Sequence, residues 1–154
     1  MNLPIGKEER NIMNNFMQKV QEFLNRIMAT IGSTPDTTAS YDSADINANK
    51  WQAVLAYLGP FCLVPILINL FGSKKSAYGM YHANQGLNLF IVDVAAKLIL
   101  AGVLGKIPLI GWIFRIANLL IIIASCFLTL MGVMNAMNNR AKELPFIGKI
   151  KLIK

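Results

Sequence analysis

From Gln52 to Gly72 the chain carries no charged residue. Two further apolar runs follow, about Gly86 to Leu104 and about Leu109 to Met134, interrupted only by Asp93, Lys97 and Arg115. About 20 apolar residues in a helix cross a hydrocarbon core of roughly 30 Å, so the pattern predicts three membrane spans. Composition agrees: 55% of the residues are hydrophobic and 15% charged, whereas a soluble domain needs about 25% charged residues to cover its surface. The predicted fold is all-α, an integral membrane three-helix bundle with an N-terminal amphipathic helix. Gly59-Pro60 and Pro65 should bend or partly break the first span. Ser73-Lys74-Lys75-Ser76 makes a basic loop after it, and Lys106-Ile107-Pro108 makes the tight turn between the other two.

The domain reading follows from the same pattern. Residues 1–31 form the amphipathic segment, because Met13, Phe16, Met17, Val20, Phe23, Leu24, Ile27 and Ile31 recur at three- and four-residue steps. Lys19 and Arg26 flank that stripe, as they would on a helix lying in a membrane interface. Packing on a membrane or protein is preferred to a coiled coil, since the pattern covers under three heptads. Residues 32–49, rich in Ser, Thr, Asp and Asn, read as a flexible polar linker. Residues 50–137 are the three-span domain, and 138–154 are a basic interfacial tail carrying Arg140, Lys142, Lys149, Lys151 and Lys154 against the single acid Glu143.

The formal net charge is +7, but the cations collect at the ends of apolar runs, which points to anionic lipid and away from nucleic acid. With three spans, the Lys74-Lys75 loop and the tail share one side. The positive-inside rule then places the tail in the cytoplasm and the amino terminus outside the cell membrane. The first residues contain Lys7, Glu8, Glu9 and Arg10 with no apolar core behind them, so internal spans should direct insertion. Cys62 and Cys126 lie in separate apolar runs and read as small packing residues.

Charges inside a membrane are costly, by roughly 3 kcal/mol on insertion scales, so Asp93, Lys97 and Arg115 stand out. Asp93 and Lys97 are four residues apart on one helix face and can pair. Arg115, Asn118, Ser125, Thr129 and Gly132 form a stripe on the third span. Counted outward from the turn, Lys97 and Arg115 fall about 14 Å away and Asp93 nearer 20 Å, so Asp93 can be shared between two cations. Structural pairing is preferred to a proton or ion relay, because the cations outnumber the acid.

His82 is the only histidine, which removes a histidine metal cluster. With Asn84 and Gln85 it is expected to cap the start of the second span. No nucleophile–base pair, phosphate loop or carboxylate pair is present, so the sequence points away from an enzyme and implies no cofactor. A weak internal echo links Ile107-Pro108-Leu109-Ile110-Gly111 to Leu144-Pro145-Phe146-Ile147-Gly148. Proline beginning a helical or interfacial segment twice is preferred to a true repeat, because the surrounding residues do not follow.

Tyr78-Gly79-Met80-Tyr81-His82-Ala83-Asn84-Gln85-Gly86-Leu87, Leu55-Ala56-Tyr57-Leu58-Gly59-Pro60, Asn135-Ala136 and Lys142-Glu143-Leu144-Pro145-Phe146-Ile147-Gly148 carry a resemblance over about residues 51–154. Together they look like the bacterial small membrane proteins grouped with the chloroplast inner-envelope protein-import component. The resemblance singles out Tyr81, His82, Asn84, Gln85 and Gly86, brings no catalytic role, and implies a link to protein transport. Its import-component relatives are described with four membrane helices, against three here. The functional expectation is a non-enzymatic subunit or assembly partner in a larger membrane complex, bound to another membrane protein or to itself. The alternative is a small homo-oligomeric channel or transporter using Asp93, Lys97, Arg115 and Asn118.

Overall fold

The stripe of apolar residues near the amino terminus is continuous at helical spacing, and it folds as helix α1, Lys7–Gly32. The Glu9 carboxylate accepts from the Gly6 N–H at 3.2 Å, and Glu8 and Glu9 suit the positive end of the helix. Phe16, Met17, Phe23 and Leu24 are exposed along one face. The computed structural model describes residues 6–153, which divide after Thr34 into a unit holding α1 and a second unit holding the rest. Lys154 of the tail lies outside the described residues.

In the second unit the helix α2, Ser43–Leu55, begins inside the stretch expected to be linker. Asp42 is its N-cap, accepting from the Ala44 N–H at 3.1 Å. Residues 38–40 form a 3-10 turn before it. The expected first span does not run straight through. Gly59 takes a positive φ of 60°, Gly59–Cys62 is a 3-10 turn, and the chain returns as the short apolar helix α3, Leu63–Phe71. At the amino end of α2, the Asp45 carboxylate accepts from the Tyr78 N–H at 3.0 Å. At the far end of α3, the Asn69 side chain accepts from the Ser76 N–H at 2.7 Å. Both ends of this α2–α3 hairpin therefore meet the same end of the next helix. The segment expected to cross in a single pass doubles back, with Gly59-Pro60 at its bend.

The next helix, α4, Ala77–Ala96, starts nine residues before the expected Gly86. Ser76 caps it, accepting from the Gly79 N–H at 2.8 Å. Capping by His82, Asn84 and Gln85 is thus replaced by Ser76, and those three lie within the helix. A π-helical stretch, Lys97–Val103, and a 3-10 turn, Leu104–Lys106, continue it. After a short turn comes α5, Gly111–Met137. Ala77–Lys106 and Gly111–Met137 are each long and apolar enough to cross a bilayer. Their outward apolar side chains are exposed, Leu98, Leu120 and Leu130 by more than 60%, a surface made for a hydrocarbon solvent. The all-α expectation of three apolar helices behind an amphipathic one holds, with two long members and one short.

Two close approaches fix the bundle. A Cβ on Gly86 would land on the Ala56 carbonyl, and one on Gly132 would land in the Tyr57 ring. Gly86 lets α4 approach the backbone just past the end of α2, and Gly132 gives the Tyr57 ring room against α5. Buried Cys62 fits the packing reading, whereas Cys126 is exposed on α5.

After α5 the tail buries Ala141 and Leu144 while Arg140, Lys149 and Lys151 stay outward. It pairs with residues 35–38: the Thr37 N–H donates to the Ala141 carbonyl at 2.9 Å, and the Glu143 N–H donates to the Pro35 carbonyl at 2.9 Å. The segments before α2 and after α5 therefore lie at one end of the α4–α5 hairpin. Three straight crossings would have put those two segments at opposite ends.

The internal echo is a shared conformation. In each copy the residue after proline has a positive φ, 69° at Leu109 and 68° at Phe146. The Ile110 N–H donates to the Pro108 carbonyl at 2.9 Å, and the Ile147 N–H to the Pro145 carbonyl at 2.8 Å. The Gly111 N–H closes onto Ile107 and the Gly148 N–H onto Leu144, at 2.8 and 3.0 Å. Each is a γ-turn around a large apolar residue. Proline precedes α5 by three residues in one copy and begins no helix in the other, so the helix-start reading is replaced by a turn used twice.

Candidate functional site

Helices that meet lipid along their outer faces concentrate their polar side chains inward, and α4 does so in its first half. His82 and Gln85 are fully buried, and Asn84 and Asn88 nearly so. The Tyr57 hydroxyl and His82 Nδ1 are 2.8 Å apart. The His82 ring is met edge-on by Tyr78, Tyr81 and Tyr57, with centroids 4.6, 5.2 and 5.6 Å away. Tyr41, ahead of α2, adds a second layer against Tyr78 and Tyr81. Its own burial pushes the Tyr41 hydroxyl pKa up.

The amides on α4 serve a different purpose. The tail beyond α5 has neither helix nor sheet, so its backbone groups need partners. Gln85 Oε1 accepts from the Leu144 N–H at 2.7 Å. Asn84 Oδ1 accepts from the Leu152 and Ile153 N–H groups at 2.8 and 3.2 Å. The Asn88 amide donates to the Ile150 carbonyl at 2.6 Å. Asn and Gln carry donors and an acceptor on one side chain, and at positions 84, 85 and 88 they form a ladder that binds the tail. Gly86 belongs to the same run for a steric reason, the approach of Ala56. Around the ladder, Tyr81 Oη, His82 Nε2, Gln85 Nε2 and Gln52 Oε1 are buried without a hydrogen-bond partner among the described residues, capacity of the kind ordered water fills.

The second clasp of the tail is electrostatic as well as backbone. The Thr38 hydroxyl and N–H, the latter at 3.0 Å, donate to Asp36 Oδ1. Those hydrogen bonds, with Arg140 and Lys142 nearby, hold the Asp36 carboxyl below its ordinary range. Of the expected lipid-binding cations, Arg140, Lys149 and Lys151 are exposed and Lys142 is half-buried.

The four intramembrane polar residues do not form one network of hydrogen bonds. Arg115 Nε donates to the Gly105 carbonyl at 3.0 Å, stitching the turn between α4 and α5, where Asp93 was the expected partner. Asp93 is half-buried, and its Oδ1 has no hydrogen-bond partner among the described residues; neither has Asn118 Oδ1. Lys97 is exposed at the start of the π-helical stretch. Among the described residues no group of three or more His, Cys, Asp or Glu side chains is placed to hold a metal ion. The ladder was visible in the sequence as residues but not as a purpose. The cue for it was a run of polar residues at the entrance of an apolar span, in a chain that ends in a Pro- and Gly-containing tail.

No curated protein and no solved structure matches the chain. Residues 48–153 do match one family, described as the magnetosome magnetite crystal formation protein family. The matched span runs from within α2 to the end of the described tail, and so takes in the α2–α3 turn, the histidine–tyrosine cluster and the amide ladder. It overturns the resemblance to the import-component proteins, which was read from many of the same residues, and the link to protein transport goes with it. A small membrane protein whose family-matched region is built around its own clasped tail, the chain belongs to the magnetosome magnetite crystal formation protein family.

Proposed function

We propose that the chain is a non-enzymatic component of the magnetosome membrane that organises the bilayer around the growing magnetite crystal, with its tail-bearing end in the cytoplasm. The observation that carries this reading is the charge asymmetry of the α4–α5 hairpin. Lys74, Lys75, Arg140, Lys142, Lys149 and Lys151 belong to the end where the tail folds, against Lys106 and Arg115, the latter bonded to the Gly105 carbonyl, at the other. By the positive-inside rule the basic end faces the cytoplasm. Between Asp93 and Glu143 the sequence contains no acidic residue. The crystal-facing turn then offers apolar side chains and two cations, and no carboxylate to take iron, so the contribution to crystal growth runs through the membrane and its assembly. The exposed apolar stripe of α1 supports the same role, because α1 is joined to a membrane-embedded unit and its stripe is flanked by Lys19 and Arg26. Its partner on this reading is an anionic bilayer surface.

The test is membrane-impermeant maleimide on intact isolated magnetosomes, whose cytoplasmic face is outward. In a background lacking Cys62 and Cys126, cysteine replacing Lys151 should label directly, and cysteine replacing Lys106 only after detergent. The reverse pattern turns the acidic residues Asp36, Asp42 and Asp45 toward the crystal and sinks the proposal. Loss of the gene should alter crystal size or shape by electron microscopy while the membrane compartment persists.

One observation favours an ion path as a second reading: the unpartnered Oδ1 of Asp93, one turn before a π-helical stretch of the kind that recurs at functional sites. Proton flux into liposomes that disappears with Asp93→Asn would support it, and flux equal to that of empty liposomes would remove it.

A further inference from the structure

The two γ-turns around Leu109 and Phe146 have no reason in local conformation to carry large residues. Glycine adopts a positive φ freely, whereas a leucine or phenylalanine is strained there. Yet the side chains raised by this strain make little use of the protein: Leu109 is 93% exposed and Phe146 70% exposed. The chain holds an apolar side chain in an unfavourable backbone geometry, twice, and points it outward both times. Strain of this kind persists where something compensates it, and the compensation must come from what the side chains reach.

Their positions say what that is. The Phe146 turn is fastened to α4 through Gln85 and Asn88, and the Leu109 turn follows directly on Lys106. The length of α4 and its continuation from Gln85 to Lys106 is about 30 Å at the helical rise, which is the thickness of a bilayer's hydrocarbon core. Each turn also has interfacial neighbours: Lys106 and exposed Trp112 beside Leu109, Lys149 beside Phe146. The lipid-facing band of α4 and α5 runs between them.

We infer that the twin turns are bilayer anchors, each inserting its apolar tip at one edge of the hydrocarbon core, so that the pair sets the depth and thickness of membrane this bundle accepts. The partner is the acyl-chain boundary of the phospholipid itself. On this placement the residues of α4 before Gln85, with the histidine–tyrosine cluster, stand at headgroup level under the tail. The inference holds whichever end of the hairpin faces the crystal, so it stands or falls separately from the sidedness proposed above.

The test uses the full chain reconstituted in phosphatidylcholine vesicles containing lipids brominated high or low on the acyl chain. Trp51 and Trp112 are first replaced by Phe, and Leu109→Trp and Phe146→Trp are then made singly. Both tryptophans should emit blue-shifted, lose more fluorescence to the high-brominated lipid than to the low, and do so independently of the protein-to-lipid ratio. Water-like emission without quenching, stronger quenching by the deep bromine, or quenching that fades as copies are crowded together would each overturn the inference. A readout without substitution guards against misfolding: in the unaltered protein, a nitroxide at the lipid headgroup should broaden the Leu109 methyl and Phe146 ring resonances together. Sharp signals from either residue count against it.

Discussion

Gln85 and Leu144 stand 59 positions apart in sequence, and the side chain of the first accepts the backbone N–H of the second at 2.7 Å with both residues buried. This bond joins the interior of a membrane helix to the chain that follows the last one. Gln85→Leu removes the acceptor and leaves the Leu144 N–H buried and unpaired, at a cost of about 1–3 kcal/mol. Limited proteolysis in mild detergent should then cut the variant within residues 141–151 under conditions where the unaltered protein resists. Equal resistance would show that the ladder does not hold the tail.

The contact between Gly86 and Ala56 predicts a strong asymmetry among glycines. Gly86→Ala drives a methyl into a backbone carbonyl that cannot move aside without shifting α2, and should lower stability by about 1–3 kcal/mol. Gly32→Ala, at the end of α1 with open space around it, should stay within about 0.5 kcal/mol. Thermal unfolding followed by circular dichroism in one detergent compares the two.

Tyr57→Phe keeps the ring that fills the space left by Gly132 and deletes only the hydroxyl facing His82 Nδ1. Leaving one buried nitrogen without its partner should cost about 1–3 kcal/mol. The histidine ring resonances should shift while the helical content stays constant. An unchanged histidine spectrum would mean the hydroxyl contributes nothing there.

Asp36 gives a pH dependence of known sign. A carboxyl whose pKa folding lowers stabilises the folded clasp above its ordinary value, 3.8, and that contribution is lost as pH falls through the lowered value. The pairing of Thr37 with Ala141 and of Glu143 with Pro35 should be tight at neutral pH and loosen only in strong acid. The effect is small, since Asp36 is exposed and screened. Amide exchange at Thr37 and Glu143 reads it, and Asp36→Asn should abolish the acid-dependent part.

Much of the helical framework was legible because its signals are local. The α5 run, the apolar half of α4 and the stripe of α1 are continuous at helical spacing, and no neighbour is needed to read them. The first half of α4 was missed because Tyr78, His82, Asn84 and Gln85 look like the polar flank of a span until the tail that covers them is known. The course of α2 and α3 was missed for a related reason. Gly59-Pro60 announces a break, but whether the chain continues or turns back depends on Asp45 meeting Tyr78 and Asn69 meeting Ser76, contacts that no window of sequence contains. The start of α2 had a usable cue in Asp42, followed three residues later by Asp45, the spacing of an N-terminal cap and an acidic first turn. The echo of the two proline turns was seen and undervalued, since the surroundings differ while the five-residue conformation does not.

The amide ladder on α4 also imposes an order on biosynthesis. Residues 84–88 are translated and delivered toward the membrane while residues 144–153 are still unmade, so those amides reach the bilayer before their partners exist. Until α5 has followed and the tail has emerged, α4 is an apolar helix with a wet, unsatisfied first half, held to the surface by its own hydration. Completion is therefore a late step: the tail folds back over the ladder, displaces that water, and closes against the segment before α2. A ribosome stalled just after Met137 would carry both crossing helices and still lack the closed form of the protein.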